Sequence, residues 1–217
     1  MIEPQRELVE MVAQQIEARG VRDERVLEAM RRVPRREFVP ETMRGCATDD
    51  RPLPIGFGQT ISQPYIVGLM TELLELKGDE SVLEIGTGSG YQAAVLSLLA
   101  ESVHTLEFVL ELALKAQKTL ENLGYLNVKV HTGDGSLGLS AHAPYTGILV
   151  TAACPAPPSP LLEQLTEGGR LVIPVGDRWG QMLQCWEKNG NHLSHEDILP
   201  VAFVPLRGIY GWKEDQW

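Results

Sequence analysis

Short apolar runs alternate with amphipathic segments along the middle of this chain, from residue 64 to residue 176. The runs "SVLEIG", "SVHTLEF", "NVKVHTG", "TGILVTAA" and "RLVIPVG" have the length and the β-branched content of buried strands. The segments between them repeat apolar residues at helical spacing. Connections this short favour βαβ units, and therefore a parallel sheet with helices on both faces. The sequence thus predicts an α/β fold with a doubly wound, mostly parallel, Rossmann-like sheet.

The helices of this region are predicted over residues 64–77, 89–100, 109–124 and 159–169. After them, Asn189 and Gly190 form a turn signal between two strand-like runs, which predicts an antiparallel hairpin that finishes the sheet. We expect one domain over residues 1–217. It divides into an N-terminal part (1–63), a cofactor-binding core (64–176) and C-terminal strands with a tail (177–217).

The N-terminal part carries two helical patterns, over residues 4–19 and 23–31, and then a region of little periodicity over 34–63. That region ends in "PIGFGQTISQP", which contains too much glycine and proline for a helix. Three of its side chains, those of Gln59, Thr60 and Ser62, carry hydrogen-bonding groups. The stretch therefore predicts a stiff polar loop directly before the helix that begins at Pro64.

The charge of the chain limits its partners. It has 29 acidic and 19 basic residues and a net charge of −10, which opposes binding to a nucleic-acid backbone. The basic cluster at residues 31–38 is interpreted as solvated or paired with acids. No apolar run approaches the roughly 20 residues that span a bilayer, and the N-terminus lacks the pattern of a secretory signal. We therefore expect no nucleic acid and no membrane as partners.

The cysteines indicate a reducing compartment. Cys46, Cys154 and Cys185 are odd in number, far apart and without the spacing of a disulfide framework or a metal site. We expect a cytoplasmic protein without a metal, and a monomer, because no exposed apolar stripe remains once the helices cover the sheet.

A glycine-rich loop follows the first predicted strand of the core, in "LEIGTGSGYQ". Glycines at 86, 88 and 90 let the backbone turn sharply and approach a ligand closely. A dinucleotide fingerprint would need a glycine where Tyr91 stands, and a phosphate loop would need a lysine, which this loop lacks. The loop therefore favours a ligand without phosphate.

Acidic residues lie at the ends of three consecutive predicted strands, at Glu84, Glu107 and Asp134. Ligands of open α/β sheets bind at this edge, where Glu107 can accept both ribose hydroxyls and Asp134 can face an adenine amino group. Alternatively, these acids are only solvent-exposed polar residues at the strand ends and bind no ligand. A cofactor with ribose, adenine and a cation but no phosphate suits an acidic pocket, and S-adenosylmethionine fits that description.

Five stretches together resemble the protein-L-isoaspartate (D-aspartate) O-methyltransferases, namely "LPIGFGQTISQPYIVGLMTELLEL", "VLEIGTGSGYQAAVL", "GDGSLG", "EGGRLVIPVG" and "FVPL". The resemblance extends over residues 5–207. It implies transfer of a methyl group from S-adenosylmethionine to the α-carboxylate of an L-isoaspartyl residue in a damaged protein. The ester then breaks down through a succinimide. The resemblance implies cofactor binding by Glu84, Gly86, Gly88, Glu107, Asp134 and Gly135, and an active-site role for Ser62.

A carboxylate nucleophile is already ionised at neutral pH, so this reaction needs no general base. The protein has to align the reacting groups and exclude water. We therefore expect Ser62 Oγ, with Thr60 or nearby backbone N–H groups, to orient the substrate carboxylate. The alternative is that Ser62 caps the helix that begins at Pro64.

The chain departs from the family pattern in the apolar stretch "FVLEL" after Glu107, in its tail "RGIYGWKEDQW", and at two single positions. Thr146 stands where the family usually has an aspartate, and Thr48 replaces a common tyrosine. Three alternatives therefore stay open. These are a related methyltransferase with another carboxylate or a small-molecule acceptor, a binding protein for S-adenosylmethionine without catalysis, and a nicotinamide dehydrogenase.

Overall fold

A computed structural model describes residues 4–190 and 192–217. Its strands are β1 (Leu53–Gly56), β2 (Gln59–Ile61), β3 (Ser81–Ile85), β4 (Ser102–Glu107), β5 (Val128–Thr132), β6 (Tyr145–Val150), β7 (Leu165–Asp177), β8 (Gly180–Asn189) and β9 (His192–Val201). Its α-helices are α1 (Pro4–Met11), α2 (Glu24–Arg32), α3 (Pro64–Glu72), α4 (Tyr91–Ser97), α5 (Leu110–Asn122) and α6 (Ser159–Glu163).

Seven strands form the central sheet in the order β5-β4-β3-β6-β7-β8-β9. The first five are parallel, and β8 and β9 are added antiparallel, with Asn189 opposite His192. Alternate residues of β3 enter two different apolar clusters, Val82 on one side and Leu83 on the other, because strand side chains alternate between faces. The predicted doubly wound, mostly parallel fold with antiparallel C-terminal strands is confirmed.

The structure corrects the predicted polar loop. Residues 53–61 form a two-stranded antiparallel hairpin, β1 with β2, whose tip is Phe57 and Gly58. Both tip residues have positive φ angles, 54° and 70°, and they form the tight turn of the hairpin. The periodicity of the sequence gave no sign of strands here. Leu53 and Ile61 face each other across the hairpin and are both buried, which fixes it to the core.

The helix predicted over 89–100 is α4 (Tyr91–Ser97), and two other predicted helices end earlier than expected. The helix predicted over 64–77 ends at Glu72, since Glu75 has a φ of 50° and the chain turns inward to bury Leu76. The helix predicted over 159–169 ends at Glu163, because Leu165 already pairs with Tyr145 as the start of β7. In both cases burial of the next apolar residue overrides the local helical pattern.

The N-terminal helices pack against α3. Residues 4–19, predicted as one helix, are helical throughout, but only Pro4–Met11 is α-helical. A π-helical turn follows over Val12–Ile16, and then a 3₁₀ turn over Glu17–Arg19. The predicted helix 23–31 is α2, and Asp23 caps it by accepting a hydrogen bond from the Arg25 N–H. Across the described residues, every helix is too short or too polar to cross a membrane.

Candidate active site

One cavity lies at the carboxyl ends of β3, β4 and β6, with an empty space of about 830 Å³ that includes its open mouth. Seven of the predicted site residues line it, namely Thr60, Ser62, Glu84, Gly86, Gly88, Glu107 and Gly135. The structure thus brings together the glycine loop, two strand-end acids and the β1-β2 hairpin.

The glycine loop is held in place by its neighbours on both sides. The Gly86 N–H donates to the carbonyl oxygen of Leu106 at 2.8 Å, and Gly86 has a φ of 93°. A Cβ atom at this position would lie 2.3 Å from Thr151 Oγ1, so no larger residue fits without displacing that side chain. Thr151 Oγ1 itself donates to the Gly86 carbonyl oxygen at 2.7 Å.

Glu107 organises the loop and faces the cavity. Its Oε2 accepts a hydrogen bond from the Gly88 N–H at 2.8 Å, and its Oε1 accepts from the Val109 N–H at 3.0 Å. An ionised carboxylate has about four acceptor positions, so capacity remains for two further donors. Glu107 can therefore accept a pair of ligand hydroxyls while it holds the loop.

Glu84 is fully buried beneath the loop. Thr105 Oγ1 donates to its Oε2 at 2.5 Å, while its Oε1 has no hydrogen-bond partner in the described part of the chain. Burial raises the pKa of Glu84 to about 8, an effect that the Thr105 hydrogen bond opposes and the charge of Glu107 reinforces. Burial therefore favours the protonated form of Glu84 in the ligand-free protein, and a cationic ligand in the cavity would favour the ionised form.

Asp134 is placed differently from the other predicted site residues. Its carboxylate accepts hydrogen bonds from the Ser136 N–H (2.9 Å), from Ser136 Oγ (2.6 Å) and from the Ile209 N–H (2.8 Å). The C-terminal segment approaches so closely that a Cβ on Gly208 would lie 1.9 Å from Asp134 Oδ1. Asp134 thus anchors the tail, and its neighbour Gly135 is the residue that borders the cavity.

Thr60, on β2, and Ser62, which directly follows the hairpin, both border the cavity. The N-cap residue of α3 is Gln63, and no side-chain hydrogen bond caps this helix end. The alternative role for Ser62, as the helix cap, therefore finds no support in the structure. Beneath the loop, the buried Arg35 donates from Nη2 to the Ser62 carbonyl oxygen at 2.6 Å.

A second cavity adjoins the first. The two share Thr60, Ser62, Thr151 and Val204. The second cavity then continues along residues 199–203, which end β9 and follow it, and past Arg19. Ser62 thus lies at the junction between the cavity that contains the strand-end acids and the adjoining groove.

Three site residues escaped the sequence analysis. Thr151 directly follows β6, so the strand-end rule that found the acids could have found it. Tyr91 was read only as a missing glycine, yet it lines the cavity. Arg35 lay in a cluster interpreted as solvated or paired with acids, and it is in fact fully buried.

The fold and the site together define a Rossmann-like protein of the S-adenosylmethionine-dependent methyltransferase class. The sheet is mostly parallel, its glycine loop matches neither phosphate-binding pattern, and acidic residues lie at its strand ends. Residues 6–210 match the sequence model of the family described as protein-L-isoaspartate(D-aspartate) O-methyltransferase. The chain belongs to this family.

Relatives and solved structures agree with this assignment. The chain is 54% identical to protein-L-isoaspartate O-methyltransferase 1 of Syntrophobacter fumaroxidans, over 98% of this chain and 100% of the relative. It is 53% identical to the Geobacter metallireducens protein-L-isoaspartate O-methyltransferase, over 95% and 96%. A solved protein-L-isoaspartate O-methyltransferase structure superposes with a TM-score of 0.86 at 29% identity, over 95% of this chain and 67% of that one. A Plasmodium falciparum structure determined in complex with S-adenosyl-L-homocysteine shares the fold, with a TM-score of 0.79 at 22% identity, over 92% and 98%.

Proposed function

We propose that this protein transfers a methyl group from S-adenosylmethionine to the α-carboxylate of L-isoaspartyl residues in damaged proteins. The proposal rests on the position of Ser62, which borders both the acidic cavity and the adjoining groove. We assign the cofactor to the first space, beside the strand-end acids, and the substrate to the second. Membership of the family supports the same reaction.

The acidic cavity suits the cofactor because its polar groups match a nucleoside and a cation. Glu107 can accept the two ribose hydroxyls, and the Glu84 carboxyl lies close enough to the cavity to favour positive charge. Apolar side chains can enclose the adenine ring, and those that border the cavity are Ile85, Leu106, Phe108, Val109 and Leu206. When bound, S-adenosylmethionine supplies a methyl group activated by its sulfonium.

Residues of the hairpin orient the acceptor. The hydroxyls of Ser62 and Thr60 border both cavities and can donate hydrogen bonds to a carboxylate placed between them. The carboxylate needs no general base, so the contribution of these residues is to align it and keep water out. Ser62 is our proposed catalytic residue, and Thr60 assists it in binding the substrate.

The two single-residue departures from the family pattern lie away from this junction. Thr48 and Thr146 border neither cavity, and the Thr48 carbonyl oxygen accepts a hydrogen bond from Gln15 on the N-terminal helices. Both substitutions therefore leave the proposed acceptor site intact. We also infer that the chain acts as one functional unit, as a monomer in the cytoplasm, and that its charge of −10 directs it to proteins rather than nucleic acids.

The proposal is tested with a heat-aged protein rich in isoaspartate as acceptor and methyl-labelled S-adenosylmethionine as donor. We expect base-labile label on the aged protein and little on the fresh one. Ser62→Ala should lower turnover by more than it weakens cofactor binding, whereas the exposed Ser194→Ala serves as the matched control. Label on small dicarboxylic acids but not on aged protein would assign a different acceptor, and cofactor binding without any transfer would indicate a non-catalytic protein.

A further inference from the structure

Three of the five histidines of the chain meet at one place. His104 lies on β4, His131 on the neighbouring strand β5, and His142 in a 3₁₀ turn over Ser140–His142. They are far apart in the sequence, so no motif marks them. None of the three borders the cofactor cavity.

The three rings form a compact group. His104 Nδ1 and His131 Nε2 are 3.1 Å apart, and one nitrogen from each of the three residues can be chosen so that all lie within 4.8 Å of one another. The centroid of the His104 ring lies 4.1 Å from that of His142 and 5.3 Å from that of His131. Two imidazole nitrogens on one tetrahedral zinc ion are about 3.3–3.4 Å apart, given Zn–N bonds of about 2.0–2.1 Å. The His104–His131 pair is already close to that separation.

The state of the rings also suits metal binding. Burial, with the charges of His142, His131 and Lys129, lowers the pKa of His104 to about 4, and burial lowers the pKa of His131 as well. An imidazole binds a metal ion through the lone pair of a ring nitrogen, and His104 Nδ1 and His131 Nε2 face each other at 3.1 Å. The positive charge of Lys129 lies near the two rings and repels a cation. The site therefore favours a metal ion that forms strong bonds to imidazole nitrogen over one that is bound by electrostatic attraction alone.

We propose that His104, His131 and His142 bind one divalent transition-metal ion of the kind that prefers imidazole, such as Zn²⁺, with the remaining position open to water. His104 and His131 belong to strands and are fixed. His142 is exposed, and its ring, now stacked at 24° to that of His104, turns to direct a nitrogen at the ion. The alternative to a metal site is that the three rings only stack on one another. In that arrangement one hydrogen bond joins the rings, that between His104 and His131.

The site lies on the opposite face of the sheet from the hydrogen bond between Thr105 and Glu84, since neighbouring residues of a strand face opposite sides. His104 lies three residues before Glu107 in the sequence, and His131 lies three residues before Asp134. A bound ion would tie the turn at 140–142 to these two strands. We therefore expect it to raise the temperature of unfolding without contacting the cofactor.

The experiment uses the full-length chain without an affinity tag, treated with a chelator and then titrated with ZnCl₂ by calorimetry. We expect one ion per chain, and a Zn²⁺-dependent rise in the unfolding temperature. His142→Ala and His131→Asn should each weaken binding by at least about tenfold, because loss of a ligand costs no less than loss of its supporting contacts. His192→Ala, at an exposed histidine on β9, is the matched control and should bind as the unchanged protein does.

Two outcomes would overturn the proposal. One is the absence of saturable Zn²⁺ binding to the folded protein, with folding verified by circular dichroism for every variant. The other is binding that persists in both histidine variants. Replacement of Zn²⁺ by Co²⁺ identifies the ligands, because a thiolate charge-transfer band would assign the ion to a cysteine such as Cys46 instead. The readouts are independent of methyl transfer, so failure of one proposal is distinguishable from failure of the other.

Discussion

Arg35 Nη2 donates a hydrogen bond to the carbonyl oxygen of Ser62 at 2.6 Å, and this bond joins the N-terminal part of the chain to the proposed catalytic loop. Arg35 is fully buried. Its Nε donates to the Ala47 carbonyl oxygen at 2.8 Å, and its guanidinium lies 4.8 Å from the centroid of the Tyr91 ring. One side chain thus contacts the backbone of the hairpin region and a wall of the cofactor cavity, which makes Arg35 a positioning residue.

Replacement of Arg35 by Met should slow methyl transfer and destabilise the fold. The Ser62 and Ala47 carbonyl oxygens would lose their donor, and each buried unsatisfied group costs about 1–3 kcal/mol. Denaturant unfolding measures the stability, and initial rates at saturating cofactor measure turnover. We expect kcat to fall by more than the apparent cofactor affinity does.

The control for this substitution is Arg36→Met, because Arg36 is exposed. Its Nε lies 3.7 Å from Glu37 Oε1 in a surface ion pair, which contributes little to stability. It should change neither quantity appreciably. An Arg35→Met protein that is destabilised but retains full turnover would show that Arg35 serves the core alone and does not position Ser62.

Replacement of Glu107 by Gln should weaken cofactor binding. The amide can accept only one of the two hydrogen bonds now made by the Gly88 and Val109 N–H groups, and it also loses the charge that favours ribose hydroxyls. A hydrogen bond to a charged group contributes about 1.5–3 kcal/mol, so we expect a loss of affinity of tenfold or more. Calorimetry with S-adenosyl-L-homocysteine measures it.

The matched variant is Glu111→Gln, in the first turn of α5 and exposed. It removes the same charge near the same strand end without touching the glycine loop. Equal losses of affinity in the two variants would mean that overall charge, rather than the Glu107 carboxylate, determines binding.

The buried Glu84 should make the ligand-free protein less stable as the pH rises. Its pKa is about 8 in the fold and has its ordinary value of 4.5 in the unfolded chain, so the folded state retains a proton that the unfolded state releases between these values. The stabilisation is complete below pH 4.5 and is lost as the pH rises towards 8, with a slope of at most about 1.4 kcal/mol per pH unit.

Glu84→Gln tests this dependence. The amide does not titrate, so the free energy of unfolding measured in denaturant should fall less steeply with pH in the variant than in the unchanged protein. Parallel pH profiles for the two proteins would show that Glu84 is ionised in the ligand-free fold.

The contact between Asp134 and the tail predicts protection of the Ile209 and Tyr210 amides. The Ile209 N–H donates to Asp134 Oδ2, and the Tyr210 N–H donates to Ser136 Oγ, which is itself bound to Asp134. Asp134→Ala should make both amides exchange roughly tenfold faster or more, as loss of a bond to a charged acceptor implies. Asp177→Ala, in the remote β7-β8 turn, should leave them unchanged. Unchanged exchange in Asp134→Ala would show that the tail is held by other contacts.

Sequence reasoning succeeded where the pattern was local and failed where contacts were distant. The alternation of strands and helices predicted the sheet, and position at a strand end was enough to bring Glu107 to the cavity. The hairpin at 53–61 was missed because its strands are only four and three residues long.

Long-range contacts decided the rest. The buried position of Arg35 depends on carbonyl groups 12 and 27 residues away, and Asp134 meets a partner 75 residues away. The histidines come together only because β4 and β5 are neighbours in the sheet. No short pattern in the sequence records such contacts, so a fold is needed before these residues can be given a role.

Recognition of isoaspartyl carboxylates can be measured with two synthetic peptides that differ only in one aspartyl or isoaspartyl linkage. Each is incubated with methyl-labelled S-adenosylmethionine, and base-labile methyl ester is counted. We expect label on the isoaspartyl peptide alone, and its loss in Ser62→Ala but not in Ser194→Ala. Equal label on both peptides, or none on either while the cofactor still binds, would contradict the proposed function.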